Sequence, residues 1–220
     1  MDTRRSFVRR ALAGLFGLAW LLDPVFSTIG RAMAAASKTL VPKGTPWTDL
    51  RTRNPQDLDT SDLDVTPLPE FGAMGLDDHE VDLVSWRLLV DGHVEKPFSL
   101  SYQELLQLPS IERKVLLICP GFFANHGVWK GISAKELLER AQAKRGAGYV
   151  TFRGPSGAYE KTLRVPVADV LADRVFPAYA VNGADLPRKH GFPLRLVAEG
   201  YYGYDWVKYV DKVTVEQVSA

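Results

Sequence analysis

The chain has 220 residues, 46% of them hydrophobic and 24% charged, with a formal net charge of +1. Five arginines against two aspartates give residues 1–36 a charge of +3, which leaves the remaining chain at −2. A near-neutral body with no long basic run disfavours nucleic acid as a partner, and one cysteine excludes an internal disulfide, a CxxC pair or a zinc-type spacing.

Residues 1–36 read as an address. MDTRRSFVRR precedes the apolar run ALAGLFGLAWLL and then the small residues RAMAAAS, the order of a secretory signal. Within it, Thr3-Arg4-Arg5-Ser6-Phe7-Val8-Arg9 resembles the twin-arginine pattern, so export to the periplasm as a folded protein is expected. That route suits a protein that must acquire a cofactor in the cytoplasm. The apolar run Ala11 to Leu22 has 12 residues, fewer than the ~20 that span a bilayer as a helix. Cleavage after Ala34 or Ala36 would leave about 184 residues, a size that suits one domain.

Residues 37–80, rich in Pro, Asp and Thr, show no sustained period and read as a linker followed by an extended, Pro-bearing loop. Residues 81–220 carry the domain. SWRLLVDGHVEKPFSL predicts two short strands about a turn at Asp91-Gly92. SYQELLQLP, with Ser101 three residues before Glu104 and a Pro stop, predicts a short capped helix. KVLLIC is a buried strand ending at Pro120-Gly121, with PGFFANHG read as the loop beyond it. SAKELLERAQA predicts a helix with Leu137, Leu138 and Ala141 on one face and a capping box between Ser133 and Glu136.

GYVTFRG and the segment near Tyr159 read as strands joined by Gly154-Pro155-Ser156-Gly157, and VPVADVLAD as a brief helix with Pro166 near its start. AYAVNGADLP holds an Asn-Gly hairpin signal, and PLRLVAEG and WVKYVDKVTVEQ are strand-like. Short strands outnumber helices without regular alternation, which predicts a single mixed α+β domain, mainly β.

Two features carry chemistry. Cys119 stands where an apolar strand runs into Pro-Gly, and three readings of it stay open. It is a buried small hydrophobe, a nucleophile with His79, His93, His126 or His190 as base, or a thiolate for a soft or high-valent metal whose other sulfurs come from a cofactor. The second feature is LPRKHGFPLRLVAEGYYGYDWVKYV, where Arg188, Lys189, His190, Arg195 and Lys208 surround Gly200 and Gly203. Glycines admit a bound group close to the backbone, and the cations complement a phosphate.

Four motifs in order, WRLLVDGHVEKPFSLSYQELLQLP, LLICPG, VNGADLPRKHGFPLRL and YGYDWVKYVDKVTV, resemble the molybdopterin-binding domain of the sulfite oxidase family from Trp86 to Val215. The resemblance implies that Cys119 is the protein thiolate on molybdenum, completed by the dithiolene of one pterin in a mononuclear molybdenum-molybdopterin centre. It implies that His190, Arg195 and Lys208 hold the pterin phosphate, with backbone from Trp206 and Val207. It likens Thr66, Pro69 and Glu70 in TPLPE to an N-terminal cofactor-contacting loop, Gly154 to a further cofactor position, and Tyr159 to a tyrosine beside the metal.

The family pattern A-G-N-R-R after the cysteine is here Pro120-Gly121-Phe122-Phe123-Ala124-Asn125-His126. Two phenylalanines replace two arginines, which favours a neutral or apolar substrate over sulfite. The implied activity is two-electron oxygen-atom transfer, with reduction of an S-oxide or N-oxide placed ahead of sulfite oxidation. The substrate is a small molecule, and His126 joins Cys119 and Tyr159 as a candidate at the reacting centre. A non-catalytic cofactor-binding accessory protein and a hydrolase using Cys119 with His126 are the alternatives from other classes. With no CxxCH motif, a cytochrome or a membrane haem subunit is the expected electron partner, in keeping with a resemblance to exported methionine sulfoxide reductase catalytic subunits. A monomer, or a heterodimer with that partner, is expected because no dimerisation domain follows the core.

Overall fold

The computed structural model describes residues 38–218, so the twin-arginine stretch and its cleavage sites lie outside the described residues. The first two long-range strands, β1 (Leu88–Gly92) and β2 (Phe98–Leu100), pair antiparallel with Leu88 opposite Leu100. The turn falls at residues 93–97 and not at Asp91-Gly92. Asp91 stays in β1, where its carboxylate accepts from Thr214 Oγ1 at 2.7 Å and pairs with Lys212 at 2.8 Å. Helix α1 (Tyr102–Leu106) has the expected capping box. Ser101 Oγ accepts from the Glu104 N–H at 3.3 Å, and the Glu104 carboxylate accepts from the Ser101 N–H at 2.8 Å.

The hairpin that carries Cys119 is longer than its apolar core implies. Strands β3 (Ser110–Cys119) and β4 (Phe123–Ile132) pair residue for residue, from Ser110 opposite Ile132 to Cys119 opposite Phe123. Only Pro120 to Phe122 form the turn, so most of PGFFANHG is strand rather than loop. Helix α2 (Ala134–Ala141) buries Leu137, Leu138 and Ala141 as its pattern requires. Its capping box is absent, because Ser133 Oγ donates to Asp173 at 2.6 Å instead.

Strand β5 (Ala147–Arg153) pairs with β6 (Thr162–Pro166), which begins three residues after Tyr159 and leaves that tyrosine in the connecting loop. Helix α3 (Val167–Leu171) follows Pro166. Strands β7 (Val175–Val181) and β8 (Ala184–Asp185) form the Asn-Gly hairpin, with φ of 53° at Asn182 and 77° at Gly183 as a type I′ turn demands. Strand β9 (Arg195–Ala198) returns beside β7, and β10 (Lys212–Gln217) closes the chain. Trp206 to Val210 were expected to extend that last strand. They form an irregular turn instead, with Tyr209 at φ 60°.

Two five-stranded sheets result. One runs β8-β7-β4-β3 with β9 also on β7, and the other runs β2-β1-β10-β5-β6, with β10 parallel to β1 and antiparallel to β5. A shared core lies between them, with Leu117, Trp129 and Phe176 from the first sheet and Leu88, Phe152 and Val213 from the second. From Leu40 onward the chain forms one compact unit.

The other face of the β3-β4 hairpin is also covered. Leu116, Ile118 and Ala124 pack against Val41, Leu50, Leu58 and Leu63, each apolar side chain contributing on the order of 1.5–3 kcal/mol when fully buried. The stretch from Val41 to Leu63 is therefore a packed layer, and single helical turns stand at Trp47–Leu50, Pro55–Asp57 and Leu68–Glu70. No helix among the described residues is long and apolar enough to cross a membrane.

Candidate active site

Alternation along β3 puts Val115, Leu117 and Cys119 on the face toward the shared core, and the strand's end brings the thiol to the edge of that core. The loop after β9 is pressed onto it. The Gly203 N–H donates to the Ile118 carbonyl at 2.6 Å, and a Cβ at Gly203 would lie 2.9 Å from Cys119 Sγ and 2.6 Å from Leu117 Cδ2. Only glycine permits that approach.

Cys119 opens into a cavity of about 300 Å³. Gly72 to Leu76, Phe123 and Trp206 supply much of its apolar wall, and Tyr159, Lys161, Arg195, Lys208 and Tyr209 bring polar groups to it. Burial pushes the Cys119 thiol up, while the positive charges of Arg195, Lys161 and Lys208 pull it back.

Arg195 is the unusual group. It is 6% exposed, its guanidinium sits 5.8 Å and 5.6 Å from the ring centres of Trp129 and Trp206, and Nη1 donates to the His190 carbonyl at 2.9 Å. Among the described residues no carboxylate lies within ion-pair distance of it, and its Nε has no hydrogen-bond partner. Burial pushes Arg195 down to about 10, still a cation at neutral pH. A buried cation costs several kcal/mol unless an anion answers it. Lys208 is pushed down to about 8, first by burial and then by Arg195, and its Nζ donates to the Leu76 carbonyl at 3.2 Å.

His190 lies beside Arg195 in the single turn Arg188–His190. Its Nε2 is buried without a partner, and burial with the charge of Arg195 pushes it down to about 4, so it is neutral at pH 7. Arg195 and Lys208 thus bring two cations to the cavity with neutral His190 beside Arg195, and neither cation is ion-paired among the described residues. Those residues contain no cluster of three or more His, Cys, Asp or Glu placed to hold a metal. Cys119 is thus a lone thiol, a donor that fits a metal whose other ligands arrive on an anionic cofactor.

A family model for the oxidoreductase molybdopterin binding domain matches residues 75–219. This chain belongs to that family. The uncharacterized oxidoreductase YuiH of Bacillus subtilis is 35% identical over 130 residues, covering 59% of this chain and 64% of that protein. The NADH nitrate reductase of Volvox carteri is 31% identical over 164 residues, covering 61% of this chain and 19% of that enzyme. Among solved structures, the sulfane dehydrogenase SoxCD from Paracoccus pantotrophus matches with a TM-score of 0.59 at 25% identity, over 63% of this chain and 40% of that one. The chain therefore spans just under two thirds of the first of these relatives and about a fifth of the nitrate reductase.

Within this molybdopterin-binding oxidoreductase, Cys119, Tyr159, Arg195, Trp206 and Lys208 meet at one cavity. Tyr159 donates to Asp78 at 2.7 Å, and the rings of His79, Tyr159 and Tyr209 form a cluster, His79 lying 4.5 Å and 4.8 Å from the two tyrosines. His190 and Val207 are buried behind the wall. Val207 accepts from the Leu196 N–H at 2.8 Å, which ties the closing turn to β9. Gly154 also lies behind the wall, where a Cβ would meet the Lys208 and Tyr159 carbonyls at 3.0 Å and 3.1 Å.

Thr66, Pro69 and Glu70 do not line the cavity. Thr66 pairs with His126, its N–H donating to the His126 carbonyl at 2.8 Å and its Oγ1 accepting from the His126 N–H at 3.0 Å. Pro69 and Glu70 are exposed in the turn Leu68–Glu70. The part of the N-terminal segment that reaches the cavity is Gly72 to Leu76, a few residues further on.

His126 is the clearest correction. It pairs with Leu116 and so faces away from Cys119, into the N-terminal layer, where Nδ1 lies 3.0 Å from the Asp64 carbonyl. It cannot serve as a base for Cys119, and the hydrolase reading loses its dyad. Phe122 is 63% exposed and does not line the cavity, whereas Phe123 does. Lys161 and Tyr209 were missed from the sequence. Lys161 stood in a stretch read as strand, although its place two residues after Tyr159 marked it as a neighbour.

Proposed function

We propose that the chain is an exported enzyme that binds one mononuclear molybdenum-molybdopterin and catalyses two-electron oxygen-atom transfer, in the direction of S-oxide or N-oxide reduction. The observation that carries this reading is Cys119 opening into a largely apolar cavity whose buried cation, Arg195, has no carboxylate among the described residues to answer it. When bound, the cofactor supplies the two-electron couple and the point of oxygen transfer. Cys119 would ligate the metal, while Arg195, Lys208 and His190 would hold the anionic part of the cofactor.

The remaining tasks fall to the chain's own side chains. Phe123, Trp206 and the Gly72–Leu76 segment exclude water and accept the apolar part of a substrate. The Tyr159 hydroxyl, held by Asp78 at the cavity, is the group assigned to move a proton. An S-oxide takes up two electrons and two protons to give a sulfide and water. A cytochrome or a membrane haem subunit supplies the electrons, and the twin-arginine stretch supports a periplasmic location.

The reading is tested by offering oxidised and reduced sulfur and nitrogen compounds to metal-loaded protein with an artificial electron mediator. Turnover of S-oxides or N-oxides with a reduced mediator is expected. Oxidation of sulfite alone, or no turnover of any of them, would count against it.

A further inference from the structure

We propose that Lys161 is a specificity-determining residue that binds an anionic end of the substrate, so that the preferred oxide carries a carboxylate or similar group on an apolar body. The proposal rests on the oxide-reduction reading above and names the substrate class of that same cavity.

Lys161 ends the loop between β5 and β6, and its half-buried side chain lines the cavity together with Cys119. Its Nζ donates to the Tyr204 carbonyl. An ammonium has three donors, and no carboxylate of the described residues lies within ion-pair distance of this one. Asp205 acts on it only through its field, and burial, the larger effect, pushes Lys161 down. Among the cations acting on Cys119, Lys161 follows only Arg195. It is therefore a partly desolvated charge close to the reacting position.

The other cations of the cavity have separate work. Arg195, also at the cavity, packs against Trp129 and Trp206 and donates to the His190 carbonyl, and Lys208 is held on the Leu76 carbonyl. The turn after Cys119 contributes no cation, since Pro120, Gly121 and Phe122 hold none and Phe123 gives an aromatic wall. Lys161 brings positive charge to the same cavity that Met74, Leu76 and Phe123 line with apolar surface. An apolar body with an anionic end matches that pairing, and a charged end removed from the reacting oxygen distinguishes this class from a small symmetric oxyanion.

The test uses cofactor-loaded wild type, Lys161→Met and Lys161→Arg, with 4-(methylsulfinyl)benzoate and 4-(methylsulfinyl)benzamide as matched probes. Binding is followed first by quenching of tryptophan fluorescence, and reduction is followed with a mediator. A charge-assisted hydrogen bond corresponds to roughly a tenfold or larger difference in affinity. The wild type should favour the benzoate, Lys161→Met should lose about tenfold or more of that preference through KM with kcat little changed, and Lys161→Arg should restore part of it. Molybdenum content should match among the three proteins.

An unchanged benzoate preference in Lys161→Met, equal losses on both probes, or molybdenum lost from the variant would overturn the assignment. If the wild type reduces neither probe, the oxide-reduction reading fails, and the binding comparison still decides whether Lys161 selects an anion.

Discussion

Cys119→Ala is expected to leave a folded protein that has lost most of its molybdenum and all activity above background. The side chain is 5% exposed and sits at the end of β3, so its removal deletes one sulfur from a core that both sheets share. The cost of a cavity that small is on the order of 1 kcal/mol, within what a domain of this size tolerates. The ligand loss is another matter. Cys119 is the only thiol the protein offers to a metal at this site, and even partners that only orient a metal ligand are worth about 10–100-fold in metal affinity. At least a tenfold fall in molybdenum per chain is expected, read by elemental analysis beside a thermal melt. Full molybdenum content in the variant would remove Cys119 from the metal.

Arg195→Met separates cofactor binding from folding more sharply. The guanidinium is buried, no carboxylate of the described residues pairs with it, and its Nε is unpaired. Methionine fills similar space without a charge, and replacing buried charge by an apolar group is often neutral or stabilising. The cofactor-free variant should therefore melt at the wild-type temperature or above it. With cofactor present the order reverses, because the anionic group loses its most buried cation. Molybdenum occupancy should fall about tenfold or more, and further in the double variant with Lys208→Ala. Unchanged occupancy in the double variant would count against the phosphate-site assignment, and collapse of the cofactor-free fold would show that Arg195 is structural.

These two residues were legible in the sequence for different reasons. The apolar run up to Cys119 is continuous because β3 is covered on both faces, by the shared core and by the N-terminal layer, so the strand stands out without alternation. The Ser101 capping box and the Asn182-Gly183 turn also read correctly, because each depends on bonds within a few residues.

What failed depended on partners far along the chain. Asn125 and His126 suggested a polar loop after Cys119, yet both are buried in β4. Asn125 exchanges hydrogen bonds of 3.0 Å and 2.9 Å with the Gly72 backbone, and His126 binds Asp64 and Thr66. Neither partner lies near in sequence, so the polar pair had no visible reason to be strand. The Ser133 cap went to Asp173 by the same kind of long-range bond. Gly72 to Leu76 entered the site because Asn125 anchors Gly72 beside it, a constraint that spacing alone does not reveal. Lys161 was hidden because the segment near Tyr159 was expected to be strand, whereas the strand starts at Thr162.

The measurement that decides most directly whether Cys119 and Arg195 hold a molybdenum cofactor is the molybdenum and pterin content per chain of wild-type protein matured in a molybdenum-competent host. One molybdenum and one pterin per chain is the predicted result, and protein that emerges folded with neither would contradict it.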